Sequence, residues 1–246
     1  MKGRNKNILI VTAHTDDLEN GMGGTVMRLH HEGHSITSVI MTLPCQENDK
    51  QVRMSESRSS HALFGTEPIF LDQPDGKLEA TNELRKTLGE IVASAEPDVV
   101  FTLWPVDVHP DHRVTADLTM GHALKRGVNT ELFFFEVCSS GRASDAFRPQ
   151  TLGFFPTHYV DTTDVQKQKK ELMFFQASQD PDGMWAGMRN VHQNRGRECG
   201  CAYAEAFVRT TRVGEPPEEF EGLFVPSEYI LPRGIGVDFL PSSIGL

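Results

Sequence analysis

The chain has 246 residues, 38% hydrophobic and 24% charged, with a formal net charge of -10. That length suits one large domain over 1–246, with its core expected at about 7–210 and a C-terminal tail over 211–246. The acidic balance argues against a nucleic-acid-binding surface, which would be basic, and no apolar run approaches the roughly 18 residues of a membrane span.

The four cysteines, Cys45, Cys138, Cys199 and Cys201, do not suggest a disulfide framework in a chain this long. The basic start MKGRNKN leads into an apolar run too short for a signal peptide. A cytoplasmic protein is the expectation.

The first element is the run Ile8-Leu9-Ile10-Val11, whose lack of alternation predicts a strand buried on both faces. His14, Asp16, Asp17 and Glu19 follow at once. An imidazole and three carboxylates make poor core material, because burying unpaired charge is expensive, and a metal ion would resolve the conflict.

Gly21, Gly23 and Gly24 are expected to form a tight turn ahead of a helix over 25–32, closed by Gly33. A second strand is predicted over 34–42, a polar loop over 44–49 and a helix over 51–64 ending at Gly65. Residues 68–71 read as a short strand followed by a loop over 72–76. Thr81 is a plausible cap for a helix over 81–95, which Pro97 stops, and 98–103 is another buried strand.

Residues 104–111 read as a loop carrying the polar cluster HPDH, with a helix over 114–126 ending at Gly127 and a strand over 131–137. Loop is expected over 138–155, a strand over 158–160 and a helix over 164–177. Residues 178–200, rich in Gly, Asp, Asn and Arg, read as a loop lining the site or an interface. Residues 203–209 fit a strand or a short helix. The alternation predicts an α/β fold: a Rossmann-like, doubly wound, mostly parallel sheet with helices on both faces and an irregular C-terminal extension.

The chemistry begins with spacing. His14 and Asp17 lie three apart just after the first strand, and His109 and His112 lie three apart after the strand ending at Leu103. Parallel strands put both clusters on one rim of the sheet. Two histidines and one carboxylate suffice to hold a catalytic zinc with an open position. Each cluster alone also reads as a loop or a capped helix start, with Asp111 as the cap. Glu19 and Glu205 read as structural carboxylates, Cys199 and Cys201 as incidental thiols, and Phe133-Phe134-Phe135 as core.

Taken together, HTDDLENGMGGT resembles the AHPDDxExGxGGT signature of the PIG-L, or LmbE-like, de-N-acetylase family, and HPDH resembles its second metal motif. Arg53 to Glu56 is similar to the family's RxxE helix, FLDQPDGKL to its Asp-Gly loop, Lys169 through Ser178-Gln179 to its KxxALxxHxSQ stretch, and Tyr203 to Phe207 to its YAEAF. The resemblance implies a Rossmann-like zinc hydrolase that removes acetyl groups from N-acetylglucosamine-type sugars. It implies His14, Asp17 and His112 as metal ligands, for zinc or for iron or another divalent ion. Asp16 would be the general base, a cationic His109 would stabilise the oxyanion with Asp111 orienting it, and Arg53 would contact sugar hydroxyls. A small amino-sugar is the implied partner, and homo-oligomers are common in the family. The chain departs from the pattern at Thr15, where the family has proline, and at Gln176, where it often has histidine; neither position is a ligand.

Three other readings compete. Gly21-Met22-Gly23-Gly24 could hold phosphate in a Rossmann-like nucleotide binder, although the spacing is wrong for G-x-G-x-x-G and carboxylates precede it. Two histidines and one carboxylate also make the facial triad of iron oxygenases. A deacylase of a non-sugar amide would use the same ligands.

Overall fold

The first strand sets the architecture. In the computed structural model, which describes residues 5–124, 130–137 and 153–210, β1 (Asn7–Thr12) runs through the middle of a seven-stranded sheet. Ile8 and Ile10 face one core layer while Leu9 and Val11 face the other. An uninterrupted apolar run is what burial on both faces requires. The expectations for Cys138, for 125–127, for 138–152 and for the tail over 211–246 lie outside the described residues.

The strands stand in the order β3 (Ile69–Pro74), β2 (Ser35–Leu43), β1, β4 (Val99–Leu103), β5 (Glu131–Phe135), β7 (Ala204–Arg209), β6 (His158–Asp161). Strands β1 to β5 are parallel, whereas β7 runs antiparallel to both β5 and β6. One core layer gathers β-strand side chains with Leu18, Met22 and Val26 of α1 (Asp17–Glu32), Phe64 beyond α2 (Glu47–Ala62) and Leu172 of α5 (Gln166–Phe174). The opposite layer holds Leu84 and Leu88 of α3 (Asn82–Ala95) and Ala116 and Leu118 of α4 (Pro110–Ala123). This is the mostly parallel, doubly wound α/β sheet expected, and Thr81 caps α3 by accepting a hydrogen bond from Leu84 N at 3.1 Å.

Four local expectations are corrected. The glycines do not form a turn: α1 begins at Asp17 and runs through them, bent at Met22 (φ -141°, ψ 22°). Glycine is needed there for close approach. A Cβ on Gly24 would lie 2.7 Å from Thr162 Cγ2, and one on Gly21 would strike the Phe135 ring. The bend frees two amides, and the buried Glu205 carboxylate accepts both, from Gly24 N at 2.8 Å and Thr25 N at 2.6 Å. Lys169 closes the same carboxylate as a buried ion pair and donates to Asn20 O at 2.9 Å.

The second correction is the stretch 178–200, which is mostly helix: α6 spans Pro181–Cys199. Asp180 accepts from Gly183 N, Pro181 opens the first turn, and left-handed Gly200 (φ 86°) closes the helix. Its buried face, Met184, Met188, His192 and Gly196, steps by four, but two of those positions carry no hydrophobic signal. Third, α2 starts at Glu47 inside the expected loop. Fourth, α4 starts at Pro110, so Asp111 and His112 lie in a helical first turn, not in a loop.

Candidate active site

The sheet order reverses between β1 and β4: β2 and β3 lie to one side of β1, β4 and β5 to the other. In open α/β sheets the crevice beyond the strand ends at such a switch point is the binding site. Both polar clusters are delivered there, one by the β1–α1 junction and one by the start of α4.

Asp17 is the first residue of α1 and is buried; its Oδ2 accepts from Ala13 N (3.1 Å) and His14 N (2.7 Å). That folds its carboxylate back over the turn, beside His14. His14 Nδ1 stands 3.2 Å from His112 Nε2 and 3.5 Å from Asp17 Oδ2, and His112 Nε2 stands 3.2 Å from Asp17 Oδ1. Two ligand atoms at about 2.1 Å from a zinc ion, at the tetrahedral angle, lie about 3.4 Å apart. Each pairwise separation falls beside that value, the two to Asp17 being to different carboxylate oxygens, Oδ2 for His14 and Oδ1 for His112. The donor set, two imidazole nitrogens and a carboxylate, fits a zinc ion.

Electrostatics point the same way. Burial opposes a proton on His112, but the Asp17 and Asp107 carboxylates outweigh it and push its pKa up to about 9. His14 is raised well above the ordinary histidine value against burial by Asp17, Asp111 and Asp75. Asp17 is held well below the usual carboxylate range by His112 and His14, although burial works the other way. The carboxylates responsible, Asp17, Asp75, Asp107 and Asp111, give the crevice a negative potential that favours a cation, and a metal ion would take the place of the protons they hold on the two rings.

The outer contacts are as ordered. Asp107 Oδ2 faces His112 Nδ1 at 3.2 Å, while Oδ1 accepts from His109 N at 2.8 Å. The Asp111 carboxylate, also buried, accepts from Gly76 N (2.7 Å) and Leu78 N (3.1 Å) and lies 3.4 Å from His14 Nε2. Asp75 joins it at 3.3 Å from the same nitrogen. Carboxylates on the far nitrogen of a ligating histidine fix its ring and raise its basicity. Among the described residues, the sets of three whose ligand atoms all lie within 4.8 Å of one another are His14, His109 and His112, and His14, Asp75 and Asp111; His14 is common to both.

Asp16 occupies the cap position of α1, yet its side chain does not cap the helix; Oδ1 instead accepts from Arg53 Nη2 at 3.1 Å. Arg53 is buried, and among the described residues its Nη1 has no hydrogen-bond partner. His109, the cap of α4, accepts from Asp111 N through Nδ1 at 3.3 Å, so Asp111 orients it through its backbone. Its ring centroid lies 4.6 Å from that of His14 and 4.8 Å from that of His112. Burial, then His14 and His112 beside it, lower the His109 pKa. All seven expected site residues thus share one crevice. The sequence reading missed Asp107, whose place five residues before His112 carries no motif signal of its own, and Asp75, which it saw only as part of the Asp-Gly loop.

With that geometry in hand, the similarity to known proteins can be read. Residues 9–123 match the PIG-L family, described as GlcNAc-PI de-N-acetylase. The diacetylchitobiose deacetylase of Thermococcus kodakarensis is 28% identical over 225 residues, 81% of each chain. An uncharacterized deacetylase of Escherichia coli, YaiS, is 31% identical over 125 residues, 48% of this chain and 68% of that protein. Among solved structures, the N,N'-diacetylchitobiose deacetylase of Pyrococcus horikoshii superposes with a TM-score of 0.69 at 24% identity, covering 83% of this chain and 84% of its own, a likeness of fold. The chain belongs to the PIG-L de-N-acetylase family.

Proposed function

We propose that this chain hydrolyses the acetamide of an N-acetylglucosamine-type sugar or glycoconjugate, releasing acetate and a free amine, with zinc held by His14, Asp17 and His112. The observation that carries the reading is the spacing of those three donors beside Asp16 and His109 at the sheet's switch point. Zinc bound there would activate water and polarise the acetyl carbonyl.

Each remaining task falls to a side chain. Asp16, placed next to a ligand but held by Arg53, takes the proton of the attacking water and returns it to the departing nitrogen. His109, with Nδ1 occupied as an acceptor, keeps its proton on Nε2 and donates to the oxygen that gains charge in the tetrahedral intermediate. A neutral imidazole suits that role, since it does not compete with the cation. Arg53 holds Asp16 with one amino group, and its Nη1, buried and without a hydrogen-bond partner among the described residues, would meet a sugar hydroxyl only once the substrate reaches into the crevice.

The nucleotide-binding alternative loses its support, because the glycines lie in a buried helix packed on Phe135 and Thr162. No helix among the described residues is long and apolar enough to cross a membrane; a small soluble amino-sugar and a cytoplasmic location remain part of this reading. The test is an acetate-release screen over N-acetylglucosamine derivatives and non-sugar acetamides, with Asp16→Asn as control. Release from sugars that falls at least a hundredfold in the variant supports the proposal, in line with the loss of one general base. Full turnover by Asp16→Asn, or release from the non-sugar amides alone, overturns it.

A further inference from the structure

Two residues far apart in the chain meet beside the site: Gln176 Nε2 donates to Thr15 O at 2.9 Å. Gln176 is fully buried and spends the same amide on Glu19 Oε1 at 3.1 Å. Glu19 is in turn held by the Ser60 hydroxyl. Thr15 is the residue between His14 and Asp16, so its carbonyl belongs to the peptide that aims the Asp16 side chain.

Gln176 is itself fixed from two directions. Its backbone N donates to Met173 O at the end of α5, and its carbonyl accepts from Gln179 N. Ser178, two residues on, is clamped to α2: Ser178 N donates to Glu56 Oε1 at 2.8 Å and Ser178 Oγ to Oε2 at 2.7 Å. Glu56 lies one helical turn after Arg53, and Arg53 donates to Asp16 Oδ1. Residues three apart share a helix face. One face of α2 therefore reaches the Asp16 carboxylate directly and, through Ser178 and Gln176, the peptide just before it.

We infer that Gln176 is a positioning residue: with Arg53 and the Glu56–Ser178 clamp it forms a bracket that sets the direction of the Asp16 carboxylate, doing by hydrogen bond what a ring-restrained residue at position 15 would do covalently. Proline at position 15 would fix φ there; threonine leaves it free. The amide of Gln176 removes that freedom by gripping the carbonyl that follows. The inference rests on the deacetylase reading for what Asp16 does, not for how it is held.

The experiment compares wild type with Gln176→Met, which keeps the volume and loses the donor, Gln176→His, which restores a ring N–H, and Ser178→Ala at an exposed position. Steady-state acetate release, zinc affinity by competitive titration and thermal melting are measured on each. The bracket predicts that Gln176→Met loses about tenfold in kcat, with KM within about twofold, and binds zinc up to about tenfold more weakly, because the Thr15 carbonyl it holds lies in the backbone between His14 and Asp17. Gln176→His recovers most of both, and Ser178→Ala shows a smaller loss of the same kind. If Gln176→Met does not fold, Ser178→Ala carries the test with the same signature. Unchanged kcat and zinc affinity in a folded variant, a loss carried by KM, or no recovery with histidine overturns the inference. A wild-type protein that binds zinc but releases no acetate counts against the functional reading, and zinc affinity then decides the bracket alone.

Discussion

Asp107 and His112 face one another at 3.2 Å, carboxylate to Nδ1, while the other His112 nitrogen turns toward Asp17 and His14. A buried carboxylate beside one nitrogen of a histidine favours a proton there and leaves the other nitrogen to face the cluster, although among the described residues neither Asp107 Oδ2 nor His112 Nδ1 completes a hydrogen bond. Asp107 also receives the His109 amide, so it sets both histidines of the second cluster. Asp107→Ala should therefore weaken zinc binding by about tenfold to a hundredfold, the scale found for such partners. Competitive titration checks this; unchanged affinity in a folded variant would leave His112 oriented by something else.

His109 separates ligand from donor. It shares the histidine cluster with His14 and His112, yet its Nδ1 is taken by the Asp111 amide. His109→Ala should keep its metal and lose about a hundredfold to a thousandfold in kcat, as expected for one oxyanion donor. Metal content is the deciding measurement, because loss of the ion would make His109 a ligand.

Stability should depend on pH through a buried pair outside the ligand set. Burial pushes the His61 pKa down from 6.5 to about 4, and the ring stays neutral between Ser57 O and the Ser38 hydroxyl. The unfolded chain takes up that proton near pH 6.5, so His61 costs stability progressively as pH falls from 6.5 toward 4. The full effect is about 3 kcal/mol. Glu19 has the opposite sign: burial pushes it up from 4.5 to about 7, so its contribution is complete below 4.5 and is lost as pH rises through 7. Over the shared window the two slopes oppose each other. Urea unfolding of metal-free His61→Gln should show its difference from wild type changing by up to about 3 kcal/mol between pH 4 and 6.5; parallel curves would mean that His61 does not carry the shift.

The bend in α1 depends on Glu205. Removing its carboxylate strands the buried Lys169 ammonium and two helix amides at once. Glu205→Ala should cost about 3–5 kcal/mol, the usual penalty for breaking a buried pair from one side. Adding Lys169→Met should recover part of that loss, because the stranded charge goes with it. Chemical denaturation of the single and double variants checks both expectations, and equal stability of the two would show that Lys169 is not the source of the cost.

The strands and the site crevice were legible because both follow from local rules. Runs such as Ile8 to Val11 and Val99 to Leu103 can only be buried strands in this setting, and the clusters after them share a rim by topology alone. The failures have physical causes. Gly21, Gly23 and Gly24 look like a turn in sequence, because nothing local shows Phe135 and Thr162 pressing on the helix. Helix α6 hides its periodicity, since His192 and Gly196 fill buried positions that hydrophobic patterning cannot detect. The outer contacts, Gln176 to Thr15 and Lys169 to Glu205, link positions 161 and 36 residues apart, which no spacing rule connects.

The central claim is that the loops after β1 and β4 together grip one divalent ion through His14, Asp17 and His112. Elemental analysis of purified wild type and His112→Ala, after equilibration with limiting zinc, tests it most directly. The account predicts one zinc per wild-type chain and none retained by the variant. Wild type without any bound ion, or His112→Ala holding zinc at unchanged affinity, would contradict it.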